Sequence, residues 1–177
     1  MTKSPQTVPA DPMIRAAGGF AIASGIISAI GVVLLIAMFI FFATSFKELG
    51  LVFGLLNDIC GALQYLLTVP IAVALYRILL PYNPGWIRIA TLGGITAMLV
   101  VVVLQLALIF KVLTFQQQGV WVSLAIFVGV GSWLVITGLV ARSTGRLPNS
   151  VVMSAVAVPY LGYPIWAFWL GRRLLSW

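Results

Sequence analysis

Five apolar stretches, each long enough for a membrane-spanning helix, follow one another with only short polar links between them. Hydrophobic residues make up 62% of the chain and charged residues 7%, so no water-soluble fold could cover the apolar surface. The pattern predicts an all-α polytopic membrane protein: a bundle of five transmembrane helices over about residues 14–46, 51–80, 86–114, 120–141 and 150–171. A short mobile tail over 1–13 precedes a single transmembrane domain over 14–177. The first apolar run, Ala16 to Phe46, is about twice the length of a signal-peptide core and reads as a retained helix.

Local signals set the boundaries. Asp11 before Pro12 is an N-cap with proline at the first helical position, and Asn83-Pro84 repeats the device ahead of the third span. Lys47-Glu48 marks a tight turn. Gln116, Gln117, Gln118 and Gly119 read as the loop before span four, and Arg142 to Asn149 as a polar hairpin into span five. In span one Ala21, Gly25 and Ala29 recur at four-residue spacing beside Ser24 and Ser28, a packing face that lets another helix approach closely. That face serves packing within the chain or a homo-oligomer. No internal repeat is visible, which argues against a large inverted-repeat transporter.

Charge sets the orientation. If the N-terminus is cytoplasmic and the five spans alternate, Lys3, Arg15, Arg77, Arg88, Arg142 and Arg146 lie inside, against Lys47, Lys111, Arg172 and Arg173 outside. The expectation is an N-terminus inside and a C-terminus outside, with the Arg172-Arg173 pair pulling the other way. Trp86, Trp121, Trp166, Trp169 and Trp177 lie near span ends, as interfacial anchors do. The net charge of +7 comes from single residues at span ends and forms no basic face, so nucleic acid is not an expected partner. The expected partners are the lipid bilayer and other membrane subunits or further copies of the chain.

The chain has no histidine and three acidic residues. That argues against His-ligated haem, a metal site or His-based catalysis, and no cofactor is expected. Intramembrane hydrolysis needs a carboxylate pair, a nucleophile with a base, or a metal, and the spans offer one carboxylate. Cys60, the single cysteine, excludes an internal disulfide and reads as a small apolar side chain. Gly129 and Gly131 form no phosphate loop, because no strand precedes them and no lysine follows.

The informative chemistry is a polar stripe on span two. Asn57, Asp58, Gly61, Gln64, Tyr65 and Thr68 fall within about a third of the helix circumference at 100° per residue. A carboxylate inside a span faces a protein interior or a wet cavity, which makes Asp58 the leading candidate. A start of the span near Leu51 leaves a second reading open, in which Asp58 and Asn57 lie at headgroup level or cap the helix. Gln64 and Thr68 lie deeper, and Gln105 sits near the middle of span three, as interhelical glue or as the wall of a site. Pro70 removes a backbone bond beside the stripe, and Pro159 and Pro164 do the same beside Tyr160 and Tyr163. Two distorted helices bearing tyrosines opposite a polar stripe bound a small cavity for a lipid or another amphipathic molecule, or record packing alone.

The stretches Ala74-Leu75-Tyr76-Arg77, Ser132-Trp133 through Arg142-Ser143-Thr144-Gly145-Arg146-Leu147-Pro148, and Gly162-Tyr163-Pro164-Ile165-Trp166 to Gly171-Arg172-Arg173 resemble a broad group of small bacterial membrane proteins classed as a domain of unknown function. The likeness covers about residues 50–173 and is carried by loops and helix ends. It implies a bacterial inner-membrane location and assigns no activity. The expectation is a non-catalytic membrane protein, either an accessory subunit or a binder of a hydrophobic small molecule or lipid. The alternative is a small transporter built around Asp58.

Overall fold

The computed structural model describes residues 11–144 and 162–176, and every element among them is helical. Helix α1 spans Pro12–Phe42, α2 Lys47–Leu79, α3 Pro84–Ile109, α4 Phe115–Ser143 and α5 Gly162–Leu175. The fold is an all-α bundle, and α1 to α4 are each long and apolar enough to cross a membrane. The described part of α5 is 14 residues, about 21 Å at 1.5 Å per residue. The expected tail up to Ala10, Trp177 and residues 145–161, which include most of the hairpin, Pro159 and Tyr160, lie outside the described residues.

The caps expected at α1 and α3 form: Asp11 Oδ1 accepts from the Met13 amide at 2.9 Å and Asn83 Oδ1 from the Trp86 amide at 3.3 Å. Four boundaries differ from expectation. Span one ends at Phe42 and α2 starts at Lys47, so Lys47 and Glu48 belong to the first turn of α2 and not to the link before it. Span three ends at Ile109, with Lys111 in the left-handed region (φ 59°), and the glutamine segment belongs to α4. Thr114 and Gln117 form a reciprocal capping box, which turns an apparent polar loop into the first helical turn. Within α4, Ala125–Val130 winds as a π-helix, so the helix changes register between its two halves. Gly129 lies there; a Cβ on it would collide with Ala97 of α3.

On α1 most of the buried residues are small and the large ones face outward. On α1, Ala17, Gly18, Ala21, Ser24, Gly25, Ser28 and Gly31 are buried while Ile26, Ile30, Val33 and Phe39 are exposed. Of the three small residues expected to form the packing face, Ala21 and Gly25 are buried and Ala29 is exposed. The face runs through Gly18, Ala21 and Gly25 because it meets α5: a Cβ on Gly18 would lie 2.9 Å from the Gly171 carbonyl, and one on Gly25 3.2 Å from the Pro164 carbonyl.

Those pairs show that α5 runs antiparallel to α1. The C-terminal end of α5 therefore lies beside the N-terminal end of α1, and α4 and α5 run in the same direction. The expectation of termini on opposite faces rested on simple alternation of five spans, whereas the described ends of α1 and α5 lie at the same end of the bundle. The pairs Gly31–Cys60, Gly54–Met38, Gly94–Trp133 and Gln105–Gln118 order α1 to α4 as antiparallel neighbours. Arg15, Arg77, Arg88, Arg142, Arg172 and Arg173 consequently collect at one end of the bundle, with Lys47 and Lys111 at the other. The tail pair no longer opposes the bias; it joins it.

Candidate functional site

The expected stripe on α2 divides into two sites at different depths. Thr68 is fully buried and bonds to α1 and α5, whereas Asn57, Asp58, Gly61, Gln64 and Tyr65 line a cavity. Gln105 joins the cavity wall from α3, as does Gln118 from α4.

The deeper site is a hydroxyl cluster. Tyr163 OH lies 2.5 Å from both Ser24 Oγ and Thr68 Oγ1, and Ser24 and Thr68 are 3.4 Å apart. Thr68 Oγ1 donates its only proton to the Gln64 carbonyl at 2.7 Å. Tyr163 therefore donates to Thr68, and Ser24 donates to Tyr163. Ser24 is 12 residues past Pro12 and Thr68 is 11 before Leu79, so the cluster sits about 17 Å from the arginine end. Around it, Trp166 packs edge-on against Trp133 (centroids 6.0 Å, 87°) and tilted against Tyr163. Trp166 is thus a core residue and not the interfacial anchor its place in the sequence implied, whereas Trp86, Trp121 and Trp169 are exposed. Trp133 Nε1 and Thr137 Oγ1, one turn apart on α4, are buried without a hydrogen-bond partner among the described residues.

The cavity lies on the lysine side of this cluster and has a volume of about 330 Å³. Its apolar wall comes from α1 (Val32, Leu35, Met38, Phe39) and α4 (Phe115, Val122), and its polar groups come chiefly from α2. Two glycines open it. Gly31 leaves room beside Asn57 and Cys60, and a Cβ on Gly61 would press on Gln105 Nε2 at 3.0 Å. Gln118 Nε2 donates to Gln105 Oε1 at 2.6 Å, which fixes the amide plane of Gln105 across the cavity. Sequence reasoning missed Gln118 because three consecutive glutamines before a glycine read as a loop; the Thr114-x-x-Gln117 capping box was the signal that placed them on a helix.

Asp58 is the twelfth residue of α2, about 16 Å from its start. Helix α2 begins at Lys47 and its N-cap is Phe46, so neither Asp58 nor Asn57 caps it. The Asp58 side chain is 8% exposed, faces the cavity and has no hydrogen-bond or ion-pair partner among the described residues. Helix α2 runs unbroken through Pro70. Tyr163 belongs to the hydroxyl cluster, not to the cavity wall, and Tyr160 lies outside the described residues. No three His, Cys, Asp or Glu residues cluster as a metal site among the described residues.

Comparisons of this chain with protein-family models, curated proteins and solved structures give no match.

Proposed function

We propose that this is a non-catalytic integral membrane protein that binds a hydrophobic or amphipathic small molecule or lipid in the cavity beside Asp58. The observation that carries the reading is Asp58 itself: a carboxylate buried in a bundle is costly unless something pairs with it, and no side chain among the described residues does. An apolar wall with a few convergent polar groups is the usual form of a small-molecule site, and 330 Å³ is at the small end of such sites. Residue chemistry supports a role without catalysis, since the chain has no histidine and three acidic residues in all. The arginine end is the cytoplasmic face on the positive-inside bias, which puts the ends of α1 and α5 together inside a bacterial inner membrane. That placement draws on the likeness of the helix ends and loops to small bacterial membrane proteins.

A second reading, a small transporter, is favoured by one feature. The cavity and the hydroxyl cluster are stacked along one axis, so a route past Asp58 would be closed toward the arginine end by Ser24, Thr68 and Tyr163.

The test is native mass spectrometry of the protein released from nanodiscs. A bound small molecule that disappears in Gly119→Phe supports the binding reading; stoichiometric membrane subunits with an empty cavity return the accessory-subunit reading. Gly119 suits the test because it lines the cavity and a Cβ there meets nothing within 4 Å.

A further inference from the structure

We infer that the ligand is a small organic cation, an ammonium-bearing amphiphile whose charged head pairs with Asp58 while its apolar body lies against α1 and α4. This rests on the binding role proposed above and names its chemical class. The one charged side chain lining the cavity is negative. Asp58 has no partner among the described residues, Asn57 and Gln64 add amides that no described group engages, and Tyr65 adds a phenol. No basic side chain among the described residues lines the site; the described arginines and lysines all lie at the two ends of the bundle. An anionic ligand would place like charge beside Asp58 with nothing to offset it, and a phosphate group would find no arginine or lysine. A cation instead removes the cost of the lone carboxylate and finds ring faces in Phe39 and Phe115, which also line the cavity.

A bare metal ion fits less well. Calcium and magnesium take six or more oxygen ligands, commonly several carboxylates, and the wall offers one carboxylate among apolar side chains. An organic cation needs no such shell. Its charge is spread over carbon-bearing substituents that the apolar wall solvates.

The experiment uses the full chain in dodecyl maltoside, with protein-free micelles as the blank, and titration calorimetry of three probes. These are benzyltrimethylammonium, its uncharged carbon isostere neopentylbenzene, and the anion benzylsulfonate. The expected result is saturable one-to-one binding of the cation, at least about tenfold tighter than the isostere, with no saturable binding of the sulfonate. Asp58→Asn should weaken the cation about tenfold or more and leave the isostere unchanged, while Gly119→Phe should abolish both. Equal affinity for cation and isostere, with Asp58→Asn without effect, overturns the cation assignment and leaves the cavity reading standing. Absence of saturable binding of any probe to the native chain overturns both. Should Asp58→Asn fail to fold, the comparison of cation with isostere on the native chain decides alone.

Discussion

Tyr163 donates its phenolic proton to Thr68 Oγ1 across 2.5 Å, joining α5 to α2 at mid-depth through residues 95 positions apart. The direction of that bond follows from Thr68, whose own proton is spent on the Gln64 carbonyl. Because Ser24 of α1 bonds to the same phenol, one oxygen ties three helices together where the apolar surroundings supply no directional preference.

Tyr163→Phe keeps the ring packed on Trp166 and removes only the oxygen, leaving Ser24 and Thr68 a 3.4 Å contact with each other. The expected loss is about 1–2 kcal/mol, the range for interhelical bonds in membranes. A double-mutant cycle with Thr68→Val, read as unfolding in bicelles, should give coupling of about 0.6 kcal/mol or more. Additive losses would show that the two hydroxyls act separately.

Adjacent glycines on α3 provide an internally controlled packing test. A Cβ on Gly94 would lie 2.5 Å from Trp133 Cγ and 2.6 Å from its Cβ, and Trp133 is 1% exposed, so the ring has nowhere to go. Gly94→Ala should cost about 1–3 kcal/mol through overpacking. Gly93→Ala meets nothing within 4 Å and should be neutral or stabilising by up to about 1 kcal/mol from helix propensity. Thermal midpoints of the two variants in the same detergent check the difference; equal midpoints would mean that α3 and α4 do not pack this closely.

Polar substitutions in the cavity separate bonded from unbonded groups. Asp58→Asn removes a charge that no described side chain pairs with, so insertion and fold should survive and the thermal midpoint should hold or rise. Gln64→Leu should cost well under about 2 kcal/mol, because its amide has no partner among the described residues. Gln105→Leu should cost more, about 1–2 kcal/mol, since it strands the buried Gln118 amide. Reversal of that order in a bicelle unfolding series would contradict the bond assignment.

The helical class and the first three spans were legible because apolar runs of this length admit few other structures, and Asp11-Pro12 and Asn83-Pro84 announce their helices. The cavity was legible in part: period and polarity put Asn57, Asp58, Gln64 and Tyr65 on one face. Thr68 shares that face, yet which of its neighbours bonds to it is a fact of tertiary packing. Gln118 was hidden by its glutamine neighbours, and the π-helical turn at Ala125–Val130 by the absence of any local sequence rule for it. The direction of α5 was illegible for a different reason. Hydropathy counts apolar residues without regard to the order in which the chain visits the two faces, and the close approaches of Gly18 to Gly171 and of Gly25 to Pro164 show it.

The approach of Gly18 to Gly171 makes the strongest prediction about topology. A Cβ on Gly18 would lie 2.9 Å from the Gly171 carbonyl and one on Gly171 2.8 Å from the Gly18 carbonyl, backbone contacts that no movement of the neighbouring Leu175 or Ile22 side chain relieves. Gly18→Leu should therefore detach α5, while Gly19→Leu, facing open space, should not. Single cysteines placed in a Cys60→Ser background read the arrangement directly in intact spheroplasts treated with a membrane-impermeant maleimide. Ser45→Cys, in the turn between α1 and α2, should label from outside. Ser176→Cys, past the end of α5, should label only after the membrane is opened, in step with a cysteine at Thr2. Labelling of Ser176→Cys from outside would return the alternating five-span path and remove α5 from its place beside α1; the hydroxyl cluster would then be lost, since Tyr163 could no longer meet Ser24 and Thr68 at the same depth.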